Sequence, residues 1–136
     1  KSKIKGDIME KLPQISEAEY EIMIILWTEY PLSTNEVCDR AQKSHNWNQK
    51  TIHTLLSRLT AKHVLSYEQR GRMYYYYPLI SQKKYLEQEN HLFLNRFYNG
   101  KIAPMLSSLL SDTKLTDTEL KDLYDIINSK IKSGDS

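Results

Sequence analysis

Residues 49–61 carry side chains suited to binding a phosphate-rich partner. If this segment is helical, steps of 100° per residue place Leu55, Leu56 and Leu59 within about 60° of Ile52, so the four apolar side chains form one stripe. The opposite side then presents Lys50, Thr54, Ser57 and Ala61, with Thr51 and Arg58 on one shoulder and His53 on the other. Such a helix can enter the DNA major groove, where Lys and Arg reach guanine acceptors or phosphates and threonine meets the thymine methyl. An ordinary solvated helix face is the alternative.

The positive charge of the chain is concentrated around this segment. The formal net charge of the 136 residues is only +2. Residues 44–72, however, contain a single acid, Glu68, and these basic residues: Lys50, Arg58, Lys62, Arg70 and Arg72. A localised basic block is typical of proteins that bind nucleic acid.

Three helix starts position this block. Ser16-x-x-Glu19 and Ser33-x-x-Glu36 are capping boxes, and Asn48 is a good N-cap for a third helix that has Thr51 in place of the reciprocal Glu. Pro31 prevents the first helix from continuing. Three helices with a short loop between the last two indicate a helix-turn-helix unit.

A β-hairpin is expected directly after the third helix. Residues 64–68 and 73–77 are rich in β-branched and aromatic side chains, and Arg70-Gly71-Arg72 lies between them. Gly71 allows the positive φ that a tight turn needs, and Pro78 closes the second strand. Of the four tyrosines at 74–77, strand alternation predicts two rings packed inward and two at the surface. This layout predicts a mainly α fold with an N-terminal winged helix-turn-helix and a two-stranded wing.

The rest of the chain reads as three amphipathic helices, with Gly100 as a stop signal and Thr116-x-x-Glu119 as a further capping box. A segment of fewer than about 60–70 residues forms only a marginal core by itself. A second copy of the segment would bury its apolar stripes in a two-fold dimer. The expected dimerisation residues are Phe93, Phe97, Tyr98, Met105, Leu106, Leu109, Leu120, Leu123, Tyr124 and Ile127. The predicted organisation is a flexible lead-in at 1–12, a winged-helix domain at 13–79 and a helical dimerisation domain at 80–136.

Enzymatic and metal-dependent functions find no support in the sequence. It has no phosphate-binding, dinucleotide-binding or nucleophile-elbow motif, and its four histidines form no H-E-x-x-H pair. Cys38 cannot form a disulfide within the chain, fits a reducing compartment, and is expected to be a small buried hydrophobe. No cofactor or metal is expected. The longest apolar run, Ile22 to Trp27, is too short to span a bilayer, and no secretory signal is evident.

Three tracts resemble the penicillinase repressor family of BlaI/MecI type, to which CopY-type copper repressors are related. Residues 15–23 (ISEAEYEIM), with Trp27, are similar to the start of the family's conserved domain. Residues 47–59 (WNQKTIHTLLSRL) resemble its recognition helix, and residues 93–100 (FLNRFYNG) are especially similar to BlaI-type members. The resemblance covers about Pro13 to Lys130, and the motifs are specific in combination.

The resemblance implies a cytoplasmic homodimeric repressor of β-lactam-resistance or related genes, in which each winged helix reads half of a palindromic operator. By position, the operator contacts would be Lys50, Thr51, Thr54 and Arg58, with Arg70 and Arg72 at the wing. Asn48 and Gln49 stand where family members often have Ser-Pro, so the cap is kept while the preset φ of proline is lost. His53 occupies a variable position and could alter base preference.

The resemblance also bears on induction. Repressors of β-lactam resistance are inactivated by proteolysis at an Asn-Phe bond, and alignment places Ser108-Leu109 there. Cleavage by a sensor protease at this position is therefore a hypothesis. CopY-type relatives have a C-terminal cysteine cluster, whereas this sequence has the single cysteine Cys38. The rival interpretation of the whole chain is a winged-helix protein-interaction module without sequence-specific DNA binding.

Overall fold

The computed structural model describes residues 11–134, so most of the expected lead-in, residues 1–10, lies outside the described part. The elements are α1 (Glu17–Thr28), β1 (Leu32–Ser33), α2 (Thr34–Ser44), α3 (Gln49–Ala61), β2 (Leu65–Arg70), β3 (Met73–Pro78), α4 (Gln82–Tyr98), α5 (Ile102–Asp112) and α6 (Asp117–Lys132). They fall into two compact units, one ending at Glu89 and the other beginning at Asn90. Among residues 11–134, no helix has the length and apolarity needed to cross a membrane.

The predicted helix starts are confirmed. The Ser16 hydroxyl accepts from the backbone N–H of Glu19 at 3.1 Å, and the Ser16 N–H donates to the Glu19 carboxylate at 2.7 Å. Ser33 with Glu36 and Thr116 with Glu119 form the same reciprocal pairs. These bonds satisfy backbone donors that the first helical turn leaves without a partner.

The sheet has one strand more than the sequence indicated. β2 and β3 form the predicted hairpin, but β1 adds to the other edge of β3, which gives the antiparallel order β1-β3-β2. Leu32 of β1 and Tyr67 of β2 both lie opposite Tyr76. The two-residue β1 is too short to show an alternating pattern, and its Ser33 also serves as the N-cap of α2.

The wing ends in a tight turn at Gly71 and Arg72, and Gly71 has the expected positive φ of +64°. The prediction for the tyrosine run was wrong in part, since Tyr76 alone of the four is buried. Tyr74 instead stacks on Tyr67 at 4.3 Å between ring centroids, on the exposed part of the hairpin. This stack covers ring surface without burying it in the core.

The core of the first unit lies between the three helices and the base of the hairpin. The α3 stripe is fully inside, as the helical wheel predicts, and packs with apolar side chains of α1, α2 and the sheet. The buried core consists of Ile22, Met23, Leu26, Leu32, Val37, Cys38, Ala41, Ile52, Leu55, Leu56, Leu59, Val64, Leu65 and Tyr76. Cys38 is buried as expected, and burial raises the pKa of its thiol.

The first half of α4 packs on the winged helix. Tyr85 is buried and lies 6.0 Å from Tyr20 and 6.2 Å from Trp27 between ring centroids. The Trp27 indole N–H donates to the Ile80 carbonyl at 2.9 Å. Leu12 exchanges two backbone–side-chain hydrogen bonds with Gln88, at 2.6 and 2.9 Å. Residues 80–89 therefore belong to the first unit.

The second unit contains the end of α4 together with α5 and α6. None of its described residues is buried, although its helices carry the predicted apolar stripes. Phe93 contacts Phe97 and Tyr98 within α4, with ring centroids 5.1 and 5.9 Å apart. A single copy of this unit thus has no buried core, as its length indicated.

Candidate nucleic-acid interface

The outer face of α3 is positioned by its buried leucines. Asn48 caps the helix, because its side-chain oxygen accepts from the Thr51 N–H at 2.8 Å. With the apolar stripe inside, the predicted polar residues are exposed together: Gln49, Lys50, Thr51, His53, Thr54, Ser57 and Arg58. The Thr54 hydroxyl donates to the Lys50 carbonyl at 3.0 Å, which restricts the rotation of the threonine side chain. We call these seven residues the α3 outer face.

The α3 outer face carries positive charge without local neutralisation. Six of its residues line a shallow concavity that contains no acid among the described residues: Gln49, Lys50, His53, Thr54, Ser57 and Arg58. Within residues 11–134, neither Lys50 nor Arg58 forms an ion pair. Cations of this kind are available to phosphate oxygens or guanine acceptors.

The wing and α3 meet at a second concavity. His53 from α3 and Arg72 from the hairpin turn both line it, together with Gln69, Met73 and Tyr74 of the hairpin. Arg72, like Lys50, forms no ion pair in the described part of the chain. The structure therefore brings Arg72 of the predicted wing and His53 of the predicted helix to one side of the winged helix.

Sequence reasoning missed the contribution of α2 to this surface. Thr34 and Asn35, the first two residues of α2, line the same concavity as His53 and Arg72. The Ser33 capping box marked this helix start in the sequence. Backbone N–H groups at a helix start favour anions, so the capping box was the available signal.

Arg70 is placed differently from Arg72. Its guanidinium pairs with the Glu68 carboxylate at 2.5 Å and lies 4.7 Å from the Tyr75 ring centroid. It remains more than half exposed. An operator contact by Arg70 stays a prediction, and it would have to compete with Glu68.

Lys62, the remaining cation of the basic block, lines neither concavity. Lys62, which caps the end of α3, donates to the Glu19 carboxylate at 2.6 Å and to the Gln14 carbonyl at 3.0 Å. Burial alone would raise the pKa of Glu19, but hydrogen bonds from Lys62 and Ser16 and the lysine charge hold it below its ordinary value of 4.5. This carboxylate is therefore ionised and paired at neutral pH.

The turn between α2 and α3 is held by side chains on both sides. The His45 ring stacks on Trp47 with centroids 4.1 Å apart, and His45 Nε2 lies 3.4 Å from a Glu21 carboxylate oxygen on α1. Gln42 donates to the Trp47 carbonyl at 3.1 Å. These contacts fix the turn that precedes Asn48, the N-cap residue of α3.

The predicted dimerisation residues all lie on exposed or half-exposed parts of α4, α5 and α6. Phe93, Phe97, Leu109, Leu120, Tyr124 and Ile127 are among the large exposed hydrophobic residues. Tyr98, Met105, Leu106 and Leu123 are half-buried. Ser108 and Leu109 lie inside α5, and both are exposed.

No group of three His, Cys, Asp or Glu within residues 11–134 could hold a metal ion.

Three helices followed by a hairpin, with an exposed basic third helix, define a winged helix-turn-helix protein. The chain belongs to the penicillinase repressor family, whose model matches residues 15–129. This is a family of transcriptional repressors and not of enzymes.

Two curated relatives span nearly the same residues. The penicillinase repressor of Bacillus licheniformis is 41% identical over 119 residues, which cover 88% of this chain and 93% of that protein. The methicillin resistance regulatory protein MecI of Mammaliicoccus sciuri is 28% identical over 120 residues, covering 88% of this chain and 98% of that protein.

Two solved structures resemble the winged-helix part. The DNA-binding domain of the repressor BlaI has a TM-score of 0.51 and 42% identity, and the match covers 57% of this chain and 94% of that domain. The monomeric form of Bacillus licheniformis BlaI in complex with the blaP half-operator has a TM-score of 0.50, also with 42% identity and the same coverage.

Proposed function

We propose that this chain is a sequence-specific DNA-binding repressor of β-lactam-resistance genes that binds a palindromic operator as a homodimer. The observation that carries the proposal is the α3 outer face, where Lys50 and Arg58 are exposed beside threonines with no acid among the lining residues. The similarity to a BlaI half-operator complex over the winged-helix part supports it. A repressor of the cell's own genes would act in the cytoplasm.

The readout would combine base and backbone contacts. Lys50, Thr51, Thr54 and Arg58 would enter the major groove with α3, and Asn48, Gln49 and His53 would lie at its edges. Arg72, with Arg70 beside it, would reach the adjacent backbone or minor groove. Phosphate contacts position the protein, whereas base-edge contacts determine which sequence it selects.

The apolar faces of the second unit support the homodimer. None of its described residues is buried in one chain, although Phe97, Leu109, Leu120 and Ile127 are large and apolar. A two-fold partner would cover these stripes with the same stripes of a second copy. The two α3 helices would then lie about 34 Å apart, or a multiple of that distance, on one side of the duplex.

Regulated proteolysis at Ser108-Leu109 would end repression. The bond lies within α5, where Leu109 is 51% exposed and the N-cap residue, Lys101, makes no side-chain capping bond. A protease needs an extended segment, so cleavage would require α5 to open. Incubation with an activated cognate sensor protease and mass mapping of the fragments should find this cut, and an uncut chain would reject the proposal.

The DNA-binding proposal is tested by selection followed by titration. Duplexes that the protein retains from a randomised pool are sequenced, and the best duplex and a scrambled version are titrated at two salt concentrations. We expect a palindromic consensus, tighter binding to it than to the scrambled duplex, and a steep salt dependence. An interaction module would give no consensus and a shallow salt slope, which would overturn the proposal.

A further inference from the structure

The ion pair between Glu19 and Lys62 joins the start of α1 to the end of α3. The Glu19 side chain is only 2% exposed, whereas Lys62 is 35% exposed. Their separation is 2.6 Å, and Lys62 also donates to the Gln14 carbonyl at 3.0 Å. Glu19 Oε1 is in addition the acceptor of the α1 capping box, at 2.7 Å from Ser16 N. One carboxylate oxygen therefore connects the first turn of α1 to Lys62, the C-cap residue of α3.

From this geometry we propose that Lys62 and Glu19 are positioning residues for operator reading, which fix the orientation of α3 against α1, and that Lys62 does not contact DNA. The proposal rests on the proposed DNA-binding function.

The other contacts between α3 and its neighbours do not supply this constraint. Ile52, Leu55, Leu56 and Leu59 are buried apolar side chains in the shared core. Apolar burial is non-directional, and altered apolar cores lose the uniqueness of their packing before they lose stability. A hydrogen-bonded ion pair is directional, and buried polar pairs can select one arrangement among similar packings. Lys62 is one residue beyond the end of α3, so its pair acts on the helix that carries Lys50, Thr54 and Arg58.

The position of Lys62 separates it from the other cations of the basic block. Lys50, Arg58 and Arg72 have no ion-pair partner in residues 11–134 and line the two concavities. Lys62 lines neither concavity and already has two acceptors. The two acceptors leave one N–H of the ammonium for another ligand. A phosphate that drew Lys62 away from Glu19 would leave a buried carboxylate without its cation, which is costly.

The test uses the full chain and compares Glu19→Gln, Lys62→Met and the double variant with Lys83→Met. Glutamine can retain the capping box while it removes the charge. Lys83 is an exposed lysine on α4, so its replacement controls for the loss of one positive charge. Each variant is titrated with the duplex selected from the randomised pool and with its scrambled version at several salt concentrations, and its urea unfolding is recorded.

We expect both single variants to lose about tenfold in affinity for the selected duplex relative to the scrambled one, equivalent to about 1.4 kcal/mol. The double variant should be no worse than either single variant, because the two residues act as a pair. Glu19→Gln is the decisive variant, since it removes a negative charge. General electrostatics predicts tighter DNA binding for it, whereas lost positioning predicts weaker binding to the selected duplex.

Three results would overturn the proposal. Equal losses on both duplexes for Lys62→Met, with a salt slope smaller by about one, would make Lys62 a phosphate contact. Folded variants with lower unfolding free energy but unchanged discrimination would make the pair purely structural. Unchanged or tighter binding of Glu19→Gln to the selected duplex would show that the pair does not position α3 for operator reading, even if Lys62→Met fails to fold. Failure of the wild-type chain to select any duplex would instead reject the proposed function.

Discussion

Lys50 and Arg58 lie about 12 Å apart along the axis of α3, a spacing set by eight residues of helical rise. Both are exposed, and the buried leucines between them fix the direction in which they face. Each is suited to bidentate or single contacts with guanine, or to a phosphate. Which of these contacts each makes can be read from how a substitution affects different sequences.

Replacement of either residue by alanine is predicted to weaken binding to the selected duplex. Loss of a base contact should cost about 1–3 kcal/mol and relax the preference at one base pair. The measurement is a titration against single-base-pair variants of the selected duplex, with Lys83→Ala on α4 as the control. Uniform loss across all duplexes would assign the residue to the phosphate backbone, and no loss would remove it from the interface.

Acid should destabilise the winged helix through its capping glutamates. Hydrogen bonds from Ser33 hold the pKa of Glu36 below its ordinary value, as those from Lys62 and Ser16 do for Glu19 against the opposing effect of burial. A carboxyl with a lowered folded-state pKa stabilises the fold above its unfolded value of 4.5, and this contribution disappears as pH falls through the folded-state pKa.

The free energy of unfolding should therefore fall as the pH drops below about 4.5, and Glu19→Gln should reduce that fall. Urea denaturation at a series of pH values measures both effects. If the free energy of unfolding falls equally at acid pH in Glu19→Gln and in the wild-type chain, the Glu19 carboxylate does not contribute to the pH dependence of stability.

The sequence predicted correctly that the α3 outer face is exposed, but it gave no sign of the ion pair that Lys62 makes. A helical wheel needs only the order of residues within one element, so it placed Lys50, Thr54 and Arg58 correctly on the exposed side. The partner of Lys62 lies 43 residues away. Such a pair depends on how α1 and α3 pack, which no local pattern contains.

At the scale of elements, Asn48 connects the stability of α3 with the surface that α3 presents. Its side chain caps the helix at 2.8 Å from the Thr51 N–H, and it is exposed beside Gln49 and Lys50. The two roles can be separated by choosing replacements that keep or remove the cap.

Asn48→Ala is predicted to lower the free energy of unfolding by about 1 kcal/mol, because the cap is lost. Asn48→Asp should keep the cap and favour the positive end of the helix, while it places a negative charge against the DNA. We therefore expect Asn48→Asp to remain stable but bind the selected duplex more weakly. Urea denaturation and DNA titration measure the two effects, and equal stability of both variants would contradict the capping role.

The sequence predicted the helices better than the sheet. Capping residues marked the starts of α1, α2, α3 and α6 because capping is a local interaction. β1 has only two residues, and it exists because Leu32 and Ser33 reach the edge of β3, more than 40 residues later. A strand defined by its partner cannot be found from its own two residues.

At the scale of the whole molecule, the exposed apolar stripes of α5 and α6 are the surface that we propose for the homodimer. Leu123 and Ile127 lie one helical turn apart on α6, and Leu123 is half-buried while Ile127 is half-exposed in a single chain. An aspartate at either position would be buried without a partner in a two-fold interface.

Leu123→Asp or Ile127→Asp is therefore predicted to give monomers that bind the selected duplex weakly. Analytical ultracentrifugation measures the oligomeric state. Lys121→Asp is the matched control, since Lys121 is highly exposed and lies on the far side of α6 from Leu123. A persistent dimer in both variants would reject these positions as interface residues.

The organisation of the chain was predicted in outline, and its domain boundaries remain a proposal. The sequence placed the change from winged helix to helical domain at residues 79–80, where the hairpin ends. In the structure, α4 crosses the division between the two compact units, because Tyr85 near its start packs on α1. One continuous helix offers no loop or composition change at Glu89 to mark such a division.

Methylation protection of the selected duplex measures whether α3 enters the major groove. Dimethyl sulfate modifies guanine N7 in the major groove and adenine N3 in the minor groove, so protection reports which groove is occupied. We predict that the bound protein protects guanine N7 in two clusters about one helical turn apart, or a multiple of that. Unprotected guanines throughout the bound duplex, or protection confined to adenine N3, would show that α3 does not enter the major groove.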